Sequence, residues 1–251
     1  MINHYLDIIY YKVYADLRAD MMRNYLGLLW WFVEPIMFMT FFYLVFSVIF
    51  HRGGPDFIVF LFIGLTVFKW FASGVVQMAG SINANKPLMQ QVYLHKIIFP
   101  LIALASSTVK FGMVFSVLMV FLIVYGTEIN NMWWFLPILI VIQFLVIAAI
   151  GSFIASFVPM IPDVLIVLNN VVSLLFFMSG VFFDINKLSA KYGWLIGFNP
   201  MAIIIDSYRK VLLYGEFPDF RWLSVYVLVA SLVLFVSIRL INKYDKYYTK
   251  L

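Results

Sequence analysis

Glu34, Lys69 and Lys110 are ionisable side chains set inside apolar sequence. A charge in such a run is costly unless it faces protein or a watery interior, so the three either line a polar route or serve as structural pairs and snorkelling groups. Familiar catalytic sets are missing. His4, His51 and His95 fall in separate segments with no carboxylate at ligand spacing, and the chain has no cysteine. Neither an HExxH nor a GxSxG pattern occurs. No GxxxxGK[ST] occurs either, so the chain carries no phosphate-cradling loop of its own. Asp163, Asp184 and Asp206 are the carboxylates that a membrane-embedded glycosyl- or phosphotransferase would use, yet by sequence they form no acidic pair or metal cluster.

The elements that position these groups follow from composition. Of 251 residues, 65% are hydrophobic, 20% aromatic and only 12% charged, too little polar surface to coat a water-soluble body. The reading is an all-α membrane protein forming a single transmembrane domain over 1–251. About twenty apolar residues are needed per crossing, which gives six spans at about 29–50, 57–79, 98–125, 133–157, 163–183 and 222–240. Lys69 and Lys110 then lie near mid-depth, and Glu34 about one turn inside the first span. Net charge is +5. With both termini cytoplasmic, nine Lys and Arg fall inside and six outside, so the positive-inside rule leans toward that orientation rather than toward nucleic-acid binding. The N-terminus lacks the apolar core and cleavage site of a signal peptide. Trp30, Trp31, Trp133, Trp134 and Trp222 fall at span ends, where amphipathic rings settle. The many Phe and Tyr are also compatible with stacking on sugar faces.

Three segments outside the spans carry information. In residues 1–25, Ile2, Leu6, Ile9, Val13 and Leu17 recur at helical spacing between charged residues, which predicts an amphipathic helix at the membrane–water boundary. Residues 81–96, SINANKPLMQQVYLHK, predict a short helix with Pro87 in its first turn and asparagines capping it upstream. Residues 184–221 are too long for a structureless loop and hold two apolar stretches, 187–197 and 200–213. Neither can span, and Asn199-Pro200 starts the second, so a re-entrant hairpin is expected before the last span.

Four stretches in order, NYLGLLWWFVEPIMFMTFFYLVFSVIF, FLFIGLTVFKWF, INANKPLMQQVYLHKIIFP and FNPMAIIIDSYRKVLLYGEFPDF, resemble the membrane permeases of polysaccharide-exporting type 2 ABC transporters. The resemblance implies an interface helix at the cytoplasmic face and a turn at Leu26-Gly27. Arg18, Arg23 and Trp30 would stand beside that turn, where a lipid-linked pyrophosphate headgroup comes in. It implies a coupling helix, Asn83, Asn85, Lys86, Pro87, Leu88 and Gln91, that docks on a separate ABC ATPase subunit. It implies re-entrant helices bearing Asn199, Pro200, Tyr208 and Arg209, and makes Glu34, Lys69, Trp70 and Lys110 candidates for the conduit. A homodimer in the bacterial cytoplasmic (inner) membrane is implied, in contact with lipid and lipid-linked glycan. No cofactor or metal is expected on this chain, with ATP and Mg held by the partner. Lys69 and Phe68 depart from the family pattern, which often has an apolar or small residue at the first position and proline at the second. An exporter of a drug, haem or small lipid remains the alternative within the class, and the embedded transferase the alternative outside it.

Overall fold

In hydrocarbon every backbone amide must be satisfied within its own segment, so apolar runs of this length have helix as their only open-chain solution. The computed structural model describes residues 2–23, 25–49, 51, 56–91, 94–187 and 198–248, and among them no strand occurs. In chain order the helices are α1 (Ile2–Arg23), α2 (Trp30–Tyr43, widening into a π-type turn at Leu44–Ile49), α3 (Phe57–Ala84), α4 (Lys86–Gln91), α5 (Ile98–Tyr125), α6 (Leu136–Ala155), α7 (Val164–Met178), α8 (Pro200–Arg209, again followed by a π-type turn, Lys210–Tyr214) and α9 (Phe220–Tyr248). Five stretches are long and apolar enough to cross a membrane: Trp30–Ile49, Phe57–Gln91, Ile98–Tyr125, Asn131–Ala155 and Phe220–Asp245. The sixth expected span is the shorter apolar helix α7.

Helix α3 is the central post. Leu61 through Phe68 are all buried, which no amphipathic surface helix could show. Close approach of its neighbours depends on small residues. A Cβ on Gly151 of α6 would lie 2.7 Å from the Met78 side chain. Gln143 of α6, wholly buried, donates its amide to the Val67 carbonyl at 2.9 Å and ties α6 to α3.

Helix α1 packs along α5. Tyr5 meets His95 with ring centroids 6.1 Å apart, while Asp20 pairs with Lys110 of α5. Both contacts span fifteen residues of each segment, about 22 Å of helix, so α1 runs codirectionally alongside the first half of α5. A helix lying perpendicular to α5 could not reach both points. Its packed stripe is Ile9, Val13 and Leu17, with Leu17 fully buried. Leu6, Tyr10 and Tyr14 form an adjacent, exposed stripe, and Tyr rings suit a headgroup layer.

The segment before α9 takes a half-depth course. Asn199 accepts from the Met201 amide at 3.0 Å and donates to the Met178 carbonyl and Ser179 hydroxyl, capping α8 beside the end of α7. Pro200 lies against Val146, Ala149 and Ile150, midway along α6. Arg209, at the other end of α8, reaches Phe60 in the first turn of α3. Helix α8 therefore starts deep in the bundle and climbs outward. Fifteen-residue α7 stops short because α8 fills the depth beyond it. The first expected helix of this region, 187–197, lies almost wholly outside the described residues.

Arg209 holds that corner. It is buried, and its guanidinium donates to the carbonyls of Phe60 (3.1 Å), Gly180 (2.7 Å) and Val181 (2.9 Å) while resting 3.3 Å over the Phe60 ring. Gly64 makes the room, since a Cβ there would come within 2.6 Å of the guanidinium.

At the opposite end of the bundle, beside α4, Ile82, Met89, Phe99, Ala155, Ile241 and Tyr248 form a second small core. The last turns of α9 cap two other helices there. The Asp245 carboxylate accepts from the Lys96 amide at 3.0 Å, just ahead of α5, and faces the Lys96 ammonium at 3.7 Å. Tyr248 donates to the Ser156 carbonyl at 2.7 Å, at the C-terminus of α6. Burial, then Tyr244 and Asp245, push the Tyr248 hydroxyl up to about 12, so it remains a donor at neutral pH.

Four substitutions test the stability of these contacts. Arg209→Lys leaves at least one buried carbonyl without a donor and lowers unfolding free energy by about 1–3 kcal/mol per orphaned group, read as a fall in thermal midpoint in detergent, with Gly64→Ala moving the same way. Tyr248→Phe costs about 1 kcal/mol. Asp245→Ala strands the buried Lys96 and costs about 3–5 kcal/mol, and faster proteolysis at the C-terminal end reports it. Unchanged midpoints would remove these contacts from the account.

Candidate functional site

A cavity of about 220 Å³ opens between α2, α3 and α5. Its lining includes all four conduit candidates, Glu34, Lys69, Trp70 and Lys110, together with Trp31, Pro35, Thr66, Ser73, Gln77, Ser107, Phe111 and Val114. Thr66, Lys69, Trp70, Ser73 and Gln77 follow one another at spacings of three, one, three and four along α3, one stripe of a 3.6-residue repeat. Ser107, Lys110, Phe111 and Val114 make the facing stripe on α5. On α3 the polar stripe continues for about 16 Å toward the α4 end of the bundle.

Each lysine has a carboxylate partner. Lys69 Nζ lies 2.7 Å from Glu34 Oε1, a contact of charge without good hydrogen-bond alignment, and stands 5.4 Å from the Phe38 ring centroid. Lys110 pairs closely with Asp20 and stands 5.4 Å from the Trp31 ring. In both pairs the carboxylate is the more exposed member: 50% against 37% for Glu34 and Lys69, and 47% against 24% for Asp20 and Lys110. Trp70 stacks on Phe111 at 4.0 Å, which fixes its indole plane, yet its buried Nε1–H has no partner. The Thr66 hydroxyl is likewise buried and unpartnered. Pro35 lacks the amide that would close the helical bond to the Trp31 carbonyl, beside Glu34. That is the structural consequence of the Glu34-Pro35 pair.

The groups nearest the N-terminal turn are placed differently. Gly27 has φ +47°, and a Cβ there would meet the Met21 carbonyl at 2.9 Å, so only glycine turns α1 into α2 without strain. Leu26 and Trp30 are exposed, and it is Trp31, not Trp30, that reaches the cavity. Arg18 and Arg23 are exposed on α1.

At the α4 end, Pro87 and Gln91 are exposed, while Asn83, Asn85, Lys86 and Leu88 are half-buried. Leu88 and its neighbour Met89 root α4 in the small core. The expected asparagine cap is not formed. Asn85 instead donates its side-chain amide back to the Ser81 carbonyl at 2.8 Å, and its own carbonyl accepts from Leu88 and Met89 to turn α3 into α4. Asn199, Pro200, Tyr208 and Arg209 are at the α8 corner, away from the cavity. Tyr208 is fully buried with an unpartnered hydroxyl.

Sequence reasoning missed several participants. Asp20 continues the α1 stripe three residues beyond Leu17, and Thr66, Ser73, Gln77 and Ser107 lie at helical spacing from the two lysines; those periodicities were the available signal. Asp184 and Asp206 also converge: Asn186 donates to both, at 3.2 and 2.9 Å, and Lys210 pairs with Asp206 at 2.9 Å. Asp163 is far from them in sequence and exposed at the start of α7. Among the described residues no group of His, Cys, Asp or Glu could hold a metal.

The whole chain can be set beside known proteins. An O-antigen export system permease protein RfbA of Klebsiella pneumoniae is 23% identical over 243 residues, covering 96% of this chain and 93% of that one. The protein of the same name from Myxococcus xanthus is 23% identical, over 90% of this chain and 87% of its own length. The polysialic acid transport protein KpsM of Escherichia coli is 25% identical, over 90% and 88% respectively. Residues 14–213, from the packed half of α1 to the end of α8's π-type turn, match the ABC-2 type transporter family. A multi-pass helical bundle with a charged cavity among its first three spans is thus the membrane subunit of a transporter, and the chain belongs to the ABC-2 type transporter family.

Proposed function

We propose that the chain is the permease subunit of an ATP-driven exporter that moves a lipid-linked polysaccharide (O-antigen, capsular polysaccharide or teichoic acid) across the bacterial cytoplasmic membrane. The observation that carries it is the extent of similarity: 90% or more of the chain aligns with permeases named for O-antigen export and polysialic acid transport. Energy comes from a separate ABC ATPase, which holds ATP and Mg, since this chain has no phosphate-cradling loop.

On this reading α4 is the coupling helix and faces the cytoplasm with both termini. Its geometry suits the task. It is a six-residue helix set at the end of the most buried span, with Pro87, Gln90 and Gln91 outward and Met89 anchored inward. Displacement of α4 is passed to α5, α6 and α9 through the small core and the Asp245 and Tyr248 caps. The α1–α2 junction, with Arg18, Arg23, Leu26, Gly27 and Trp30 around its turn, stands where a lipid headgroup comes in from the cytoplasmic leaflet.

The cavity between α2, α3 and α5, at about 220 Å³, is too small for a polymer. Helix α7 exposes Asn169, Asn170 and Ser173 beside Ile166, Leu174 and Phe177. Carboxamides facing lipid are unfavourable, so this face is better matched to a second copy or a watery lane, which supports a homodimer with the glycan between protomers. The small-molecule exporter remains the rival for cargo.

The absence of cysteine makes the test direct. A Gln91→Cys variant cross-links to a co-expressed ABC ATPase encoded beside the gene, and an Asn170→Cys variant cross-links to its own copy. Deleting the gene removes surface polysaccharide. Unchanged surface glycan with new drug sensitivity transfers the reading to the rival, and labelling of Gln91→Cys from outside the cell ends it.

A further inference from the structure

The cavity holds more donors than it uses. Lys69 and Lys110 bring two ammonium groups from two helices, and the Trp70 indole N–H can only donate. The Thr66 hydroxyl adds a fourth group able to donate, and it and the indole are buried without partners. Buried polar atoms normally have partners, so two orphans on residues that line one cavity point to a ligand that supplies acceptors. At about 220 Å³ the void holds several water-sized volumes of about 30 Å³ each.

We propose that this cavity is an oxyanion site for a phosphate group, gripped by Lys69 and Lys110 in exchange for Glu34 and Asp20. A tetrahedral phosphate presents oxygens in several directions and accepts from groups on different helices at once, where each resident carboxylate serves a single lysine. The exchange is favoured by position. Glu34 and Asp20 are the more exposed members of their pairs, so each recovers hydration when displaced, while the lysines stay partnered.

The exchange also has a mechanical result. Asp20 and Glu34 lie on either side of the Gly27 turn, on α1 and α2, whereas the lysines belong to α5 and α3. The two ion pairs therefore fasten the α1–α2 arm to the bundle, and phosphate binding releases both fastenings. The occupant itself unlatches the wall that confines it. This rests on the export reading for its cargo, and the phosphate comes either from a lipid headgroup or from free anion.

The test is binding to the full chain in nanodiscs of neutral phosphatidylcholine, with a short-chain prenyl pyrophosphate and inorganic pyrophosphate as the two probes. Lys69→Met and Lys110→Met each weaken binding by about tenfold or more, equivalent to about 1.4 kcal/mol or more, and Trp70→Phe weakens it less. Glu34→Gln and Asp20→Asn tighten it, because they remove the competing carboxylates. A merely structural pair predicts the reverse for these two, so the result does not hinge on whether the lysine variants fold well. Preference for the prenyl probe assigns the site to a headgroup, and equal binding of both assigns it to free anion. Binding of neither, or weaker binding in Glu34→Gln, overturns the proposal. If deletion of the gene leaves surface glycan intact while the lysine dependence holds, the export reading fails and the site stands. Glycan loss with lysine-independent binding keeps the export reading and removes the site.

Discussion

A polar atom within hydrocarbon has no water to fall back on, and that constraint organises this molecule from end to end. Where helices must break, a side chain from elsewhere closes the gap. Arg209 gathers three carbonyls where α7 gives way to α8 and α3 begins. Asp245 and Tyr248 cap α5 and α6 from the last turns of α9. Gln143 secures the Val67 carbonyl between two spans. Each is a long-range bond to a main-chain group, so each converts a local break into a tie between helices. The constraint is left partly unmet at several points, and at the cavity the unpartnered side-chain groups, Trp70 Nε1 and Thr66 Oγ1, can donate.

Two kinds of contact thus divide the labour. Helices α3, α5 and α6 are held by close packing on small residues and by buried amides, which resist sliding. The α1–α2 arm is held by partly exposed ion pairs, whose net strength is small because both partners can return to water. A body that must keep its shape while one wall moves needs this asymmetry, and the Gly27 turn lets the two halves of that wall meet without strain.

Hydropathy made the spans legible. The limits of α3 and α5 fall close to the expected ones because lipid leaves no alternative to helix. Helix α7 is shorter than its apolar run, since α8 occupies the remaining depth, and that is a tertiary fact with no local signature. The site divides in the same way. Lys69 and Lys110 stand out in sequence as charges out of place, but their partners do not. Asp20 is 90 residues from Lys110, Asp245 is 149 from Lys96, and an acidic residue on a polar helix looks like ordinary surface. Asn85 reads as a cap because asparagine usually is one; here the continuing α3 offers its side chain the Ser81 carbonyl first.

The size of the cavity bears on how cargo could travel. A volume of about 220 Å³ admits a phosphate or a pyrophosphate but not a run of sugars. Under the proposed function this cavity can engage only the charged end of a lipid-linked glycan, while the chain behind it follows a wider path. The polar face of α7 offers that path only if a second copy closes it. Under the proposed function, recognition and conduction are therefore separated: the phosphate is sorted inside a protomer, between α2, α3 and α5, and the polymer passes between protomers. A separation of this kind would let a permease read the constant part of its cargo with fixed donors and leave the variable sugars to a surface that imposes little chemistry on them.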